Sequence, residues 1–415
     1  MQDNSDLSDP APVRRRKVFY IPGYDPIHPR RYRELYRKEG AAQAQISDYD
    51  LSLKPKGGQG RYGWQVDTQI DGQDVHSEIE VLVWSDIVRD SMDGSILATY
   101  GALIRTAWEY IVSGALWRLM KLRKGPVIAA LYPVGMLLVQ AILALVLGWI
   151  IYGLISSLSH WLGGVMYLVG LAVGAVAGWF LLRWFKAKDS KFFAYYLMHD
   201  YAYSARHKGA NPPELEARMT AFGDEIAAAL RSDVDEVLVV GHSSGAHLAV
   251  SILADIIRDG RVPEEGPCLG LLSLGQVVPM VSFLRKAHRL RADLNYLCQR
   301  DELTWIDVTA PGDGCAFALC DPVGVTGVAP EVGKRWPIVF SAQFTKSLSP
   351  ERWKELRWKF FRLHFQYLCA FDRPLDYDYF QITAGPTTLH ARYENRPPSS
   401  SRMERPVSKF TSLTP

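Results

Sequence analysis

Between Gly125 and Leu182 the chain carries no Asp, Glu, Lys or Arg. The hydrocarbon core of a bilayer takes a helix of about 20 apolar residues, and this interval is long enough for two. Its least apolar point, Ser156-Ser157-Leu158-Ser159-His160, supplies a turn. The sequence therefore predicts two transmembrane helices, about 127–154 and 161–183, joined as a hairpin. A buried hairpin in a soluble protein is the alternative, but soluble helices rarely stay uncharged on every side for such a length. Pro133 and Gly135 fall inside the first helix, where a membrane tolerates them.

The flanks orient the hairpin. Arg118, Lys121, Arg123 and Lys124 precede it, Arg183, Lys186, Lys188 and Lys191 follow it, and the turn has no fixed charge. Basic residues stay on the cytoplasmic side, so both long soluble segments are expected there, with a multi-pass anchor of two helices in a bacterial-type inner membrane. Trp117, Trp149, Trp161, Trp179 and Trp184 lie near the helix ends, as an aromatic belt would. Gly170, Gly174 and Gly178 form a small-residue stripe that admits a close neighbour. That neighbour is the first helix of the same hairpin or, as the sharper alternative, a second copy of the chain.

Composition narrows the function. The net charge is only +3, with 47 Lys and Arg against 44 Asp and Glu, which argues against a nucleic-acid partner. The five cysteines form no Cys-x-x-Cys pair and no zinc-like spacing with histidines, so neither a metal nor a disulfide framework is expected. The basic run Arg14–Lys17 is not expected to begin a signal peptide, because Pro22-Gly23 interrupts the apolar residues that follow it.

Along the chain, residues 1–16 read as a disordered tail, 17–117 as the first part of a soluble domain and 118–188 as the hairpin. Residues 189–390 read as the main part of that domain, and the Ser-, Pro- and Arg-rich 391–415 as a second disordered tail. Val18–Ile21 is strand-like. Alternation around 62–70, Asp71-Gly72 and alternation through Trp84 predict a β-hairpin. Helices near 191–205, 213–231, 245–258, 282–298 and 350–368 alternate with strands at 236–240, 269–274, 303–308 and 337–342. This order implies an α/β fold with a mostly parallel sheet.

Gly241-His242-Ser243-Ser244-Gly245 lies between the apolar strand Glu236–Val240 and a helix opening at Ala246. A sharp strand-to-helix turn there would raise the Ser243 hydroxyl to the sheet edge, beside a helix amino terminus that favours negative charge. An ordinary Gly-rich turn is the plainer reading, but the strand-turn-helix context favours a nucleophile elbow. This segment resembles the elbow of the α/β-hydrolase superfamily, the lipase- and esterase-like serine hydrolases. The resemblance covers about 17–24 and 190–385, and makes the membrane hairpin an insertion.

The resemblance implies the chain order nucleophile, acid, base. Asp313, in the loop after strand 303–308, is then the expected acid, with Asp321 and Asp307 as alternatives. His364, in His364-x-x-Tyr367, is the expected base, ahead of His390; His242 and His247 sit too close to Ser243 in sequence. The oxyanion hole falls to the N–H groups of Ser244 and of Gly23 or Tyr24, although Pro22-Gly23 replaces the superfamily's usual His-Gly. No cofactor or metal is implied. The expected activity is cleavage of an ester or thioester, and the hairpin suggests a lipid or fatty-acyl substrate, with the bilayer itself as partner. A non-catalytic membrane scaffold on the same fold and an acyltransferase using the same three residues are the other readings.

Overall fold

The computed structural model describes residues 12–57, 60–92 and 94–415. Its centre is one eight-stranded sheet. The strands are β1 (Arg15–Ile21), β2 (Asp50–Pro55), β3 (Gly63–Ile70), β4 (Gln73–Val81), β5 (Glu236–His242), β6 (Cys268–Leu274), β7 (Thr304–Thr309) and β8 (Ile338–Ser341). They lie in the order β2-β3-β4-β1-β5-β6-β7-β8. Pairing is antiparallel for β2 with β3 and β3 with β4, and parallel from β4 through β1 to β8. The β3–β4 hairpin forms where the sequence predicts it, and Asp71 and Gly72 both take positive φ (53° and 73°), as a tight hairpin turn requires.

The central strands are apolar on both sides because helices cover both faces. Val237 and Val239 point into one core with the helices Pro213–Ala229, Gly245–Arg258 and His288–Leu297. Leu238 and Val240 point into the other, with Tyr36 of the helix Arg30–Ser47 and Phe380 near the C-terminus. The helices Arg30–Ser47, Ile96–Val112 and Ala115–Leu122 escape the sequence reading. The first buries Tyr32, Tyr36, Gly40 and Gln43, a helical stripe written in residues that do not register as apolar.

Two helices, Lys124–Ser156 and Val165–Ala187, are long and apolar enough to cross a membrane. The first has 33 residues, about 50 Å at 1.5 Å per residue, well beyond a ~30 Å hydrocarbon core. Its opening turns pack on the soluble domain: Val127 and Leu137 are buried, and Tyr100 donates to Leu137 O at 2.9 Å. The glycine stripe is filled from within the chain. Gly174 packs on the Gly148 backbone, Gly178 on that of Ala144, and Gly170 on that of Tyr152. A homodimer through Gly170, Gly174 and Gly178 would need the face that the first helix already occupies.

Both expected tails need correction. Residues 1–11 lie outside the described residues, but Arg15 and Arg16 belong to β1. Arg16 is 1% exposed and its Nε donates to Glu236 Oε2 at 2.5 Å, while its other nitrogens donate to Gly385 O and Thr387 O. Glu236 Oε1 accepts from Leu389 N–H at 2.6 Å. At the C-terminus, Met403 forms a parallel bridge with Cys320, Val407 N–H donates to Val325 O, and Ser412 O accepts from Arg291. Backbone groups of the fold pair with this irregular segment, which composition alone does not reveal.

Removing one member of a buried, fully bonded ion pair strands the other charge in the core, at a cost of about 3–5 kcal/mol. Arg16→Ala is therefore expected to lower unfolding stability by about that amount, measured by urea titration of the detergent-solubilised protein. Loss below about 1 kcal/mol, the range of exposed pairs, would show that Arg16 is not the fastener described here.

Candidate active site

Strand β5 ends at His242, and the helix Gly245–Arg258 starts three residues later. Ser243 makes the turn with φ 56°, the left-handed region that a non-glycine residue occupies at a cost of about 1–3 kcal/mol. Two glycines let the neighbouring chain close over it. A Cβ on Gly245 would collide with Ile21 O and lie 2.7 Å from Pro22 O. A Cβ on Gly23 would lie 2.9 Å from Ser243 Cβ. The loop after β1 thus rests directly against the serine. It is pinned there by Trp84 Nε1, which donates to Pro22 O at 2.9 Å, and by Tyr196, whose hydroxyl donates to Tyr24 O at 2.6 Å. Among the described residues, the N–H groups of Gly23, Tyr24 and Ser244 donate no hydrogen bond.

Asp313 and His364 meet: Asp313 Oδ2 lies 2.7 Å from His364 Nδ1. Asp313 is held from every side. Its Oδ1 accepts from Cys315 N–H at 2.8 Å, and Tyr367 donates to Oδ2 at 3.0 Å while accepting from Ala310 N–H at 2.9 Å. Burial alone would raise the Asp313 carboxyl, but the adjacent His364 and these donors outweigh it and keep the group below its ordinary range. Tyr367, present in the His364-x-x-Tyr367 segment but given no role from sequence, is the residue that orients the Asp313 carboxylate.

The other candidates lie elsewhere. Asp321 caps the helix Pro322–Thr326 through Val323 N–H and Gly324 N–H and pairs with Lys334. Asp307 is enclosed within β7, where burial pushes its carboxyl up to about 8 while Ser273 donates to it. His390 contacts Thr304 and Glu394. His242 is buried behind the site, with Nε2 3.1 Å from His364 O and Nδ1 3.3 Å from the Tyr20 hydroxyl. A proton on Nε2 satisfies both contacts, and burial, with His364 beside it, pulls its pKa down to about 3, so it braces His364 as a neutral ring. The Ser243 hydroxyl makes no hydrogen bond to His364 among the described residues. The two are nonetheless neighbours: Ser243 N–H donates to Leu274 O, and the next residue, Gly275, packs against His364 Cε1. Such pairs commonly tighten only with substrate in place.

Asp313, Cys315 and His364 also bring possible metal-ligand atoms within 4.8 Å of one another. Their chemistry fits a metal poorly. A metal needs a thiolate, whereas burial, followed by the neighbouring Asp313 and Asp200 carboxylates, pushes the Cys315 thiol well up. His364 Nδ1 is already engaged by Asp313.

A cleft beside the elbow is lined by Ser244, Tyr24, Trp84, Tyr203, His247 and Asp200. Sequence reasoning missed Asp200, which sits without a motif in the helix Ala194–Arg206. Part of its surface faces the cleft and protein surrounds the rest. Burial raises its carboxyl to about 7, and only the charge of His364 pulls the other way. Family models, curated proteins and solved structures provide no match to this chain.

Because Asp200 holds its proton more tightly folded (about 7) than at the ordinary 3.8, it contributes stability below about pH 4 that is lost as pH rises towards 7. Asp200→Asn removes this slope. The variant's thermal midpoint, relative to wild type, should climb between pH 4 and 7 and level off above. A difference that stays flat across that window would mean Asp200 ionises freely.

Proposed function

We propose that the protein is a membrane-anchored serine hydrolase of the α/β-hydrolase type, which cleaves an ester or thioester of a lipid or fatty-acyl substrate. The observation that carries this reading is the 2.7 Å pair of Asp313 and His364 beside a serine held at φ 56° between a central strand and a helix. The sheet supports it: the acid follows β7, two strands beyond the elbow strand β5, the base follows β8, and the loop after β1 adjoins the elbow.

In the reaction, Ser243 Oγ attacks the acyl carbon as its proton passes to His364 Nε2. Asp313 accepts a hydrogen bond from Nδ1–H and so fixes the tautomer that leaves Nε2 free to take the proton. Negative charge then grows on the carbonyl oxygen. In this reading the unoccupied N–H groups of Ser244 and of Gly23 or Tyr24 stabilise it, each such donor being worth about 10²–10³ in rate. His364 returns the proton to the departing alcohol or thiol. Water, activated by the same histidine, releases the acyl group from Ser243.

The hairpin would hold this domain at the membrane, with both soluble segments on the cytoplasmic side. The charge pattern supports that orientation, and the sheet independently supports a shared compartment. Basic residues flank both ends of the hairpin. Strand β1, before the hairpin, pairs with β5, after it, so both segments must share a compartment.

A fluorophosphonate probe is expected to label the wild-type protein covalently, and Ser243→Ala should abolish labelling and hydrolysis together. Asp313→Asn should reduce turnover about 10⁴-fold by favouring the wrong tautomer. Asp321→Asn should leave turnover close to wild type while lowering stability, since it unpairs Lys334. Turnover in folded Ser243→Ala would rule the mechanism out. For topology, an impermeant thiol reagent outside intact cells should reach Ser157→Cys and not Ser401→Cys in a cysteine-free background; the reverse pattern would invert the orientation.

A further inference from the structure

The region expected as one helix over 350–368 is broken. The helix Pro350–Leu356 ends, residues 357–359 belong to no helix, Lys359 having left helical dihedrals (φ −99°, ψ 68°), and a second helix, Phe360–His364, carries the candidate base as its last residue. Every residue of the run Arg357-Trp358-Lys359-Phe360-Phe361-Arg362 is exposed. Trp358 is 70% exposed, Phe360 48% and Phe361 39%. Isolated apolar side chains on a surface need no explanation, but three aromatics interleaved with three basic residues, across one helix break and the short helix that ends at the candidate base, form a coherent patch.

The patch is level with the base of the hairpin. Phe361 packs on Phe193, ring centroids 5.5 Å apart. The preceding Phe192 packs on Phe185, 5.7 Å away, in the last turns of Val165–Ala187, and its carbonyl accepts from Tyr132 of the first membrane helix at 2.7 Å. Phe193 is itself 41% exposed, so the aromatic surface runs on from the hairpin without a gap. The basic residues Lys186, Lys188 and Lys191 belong to this same junction. Glu355 pairs with Lys359 and Arg362, but such exposed pairs are weak and leave the run cationic. On its inner side the segment grips the acid's loop: Trp353 covers Gly312 and Phe360 covers Gly314.

We infer that residues 357–362 form a membrane-docking rim: Trp358, Phe360 and Phe361 enter the headgroup layer of the bilayer, Arg357, Lys359 and Arg362 meet anionic headgroups, and His364 is thereby held at the lipid surface. The inference rests on the hairpin crossing that bilayer. Amphipathic rings favour the interfacial layer, and a negative lipid surface attracts a cationic run beside it. The occupant is the protein's own membrane, because the patch is continuous with the membrane helices and complementary in charge to anionic lipid. An acyl chain then has a short route from the bilayer to Ser243, without full transfer through water.

Depth-dependent quenching tests this on the full-length protein in vesicles of zwitterionic and anionic phospholipid. An environment-sensitive fluorophore is attached at Arg357→Cys, which keeps the three aromatics, and separately at Val146→Cys within the first membrane helix, both with Cys268→Ser. The label at 357 should be quenched by lipids brominated near the headgroup, and lose quenching on Trp358→Ser or in purely zwitterionic vesicles. The label at 146 should be quenched by lipids brominated deep in the chains. Quenching at 146 with none at 357 would overturn the docking rim and leave the anchor standing, with a protein partner as the occupant to seek next. Absence of quenching at both would overturn the membrane-spanning reading and the rim with it.

Discussion

The structure depends on the parallel pairing of β1 with β5. Each strand lies on a different side of the hairpin in sequence, and their register joins Arg16 to Glu236 and Ile21 to Gly241. The buried Arg16–Glu236 pair fixes that register, because a slip by one residue would strand two charges in an apolar core. From it follow the position of the loop after β1, its closeness to Ser243, and the need for both soluble segments to lie on one side of the hairpin. The same pair ties down the segment around Gly385 and Leu389, so the chain's last third is fastened to its first strand.

Around the elbow, tolerance is small. Gly23 and Gly245 have no room for a methyl group, and Ser243 takes an uncommon backbone conformation in the space they leave. The electrostatics run in opposite directions within a few residues. Asp313 is surrounded by donors and kept ionised, whereas Asp200, enclosed on all but its cleft side, has no donor and is pushed towards neutrality. Two carboxyl groups near one histidine are thus separated in role by hydrogen bonding rather than by distance from solvent.

Much of this was legible in the sequence, for identifiable reasons. A Gly-x-Ser-x-Gly run between a β-branched strand and an apolar helix has few other structural meanings, and an uncharged interval of two helix lengths has fewer still. Asp313 is favoured by its place after a strand end; that it, and not Asp321, lies 2.7 Å from His364 is visible only in the fold. Arg16 was misread because a basic residue within Arg14–Lys17 looks solvated, and its partner lies 220 positions away. The ordered C-terminal segment pairs through backbone groups, which leave no pattern in side chains. The break at 357–359 was hidden because Trp, Lys, Phe and Arg continue a helical composition, and its exposure shows only once the fold is built.

The separation of β1 from β5 bears on how the molecule is made. A ribosome adding about 5–20 residues per second needs roughly 10–45 s to travel the 220 positions between Arg16 and Glu236. During that interval the whole hairpin is synthesised, and β1 has β4 as its only partner while its other edge waits open. Sheet completion is therefore the last event of a vectorial sequence in which the two long apolar helices are made first. Any pause or truncation before β5 emerges leaves an apolar parallel edge unpaired, the kind of edge that recruits stray strands and that quality-control proteases must recognise.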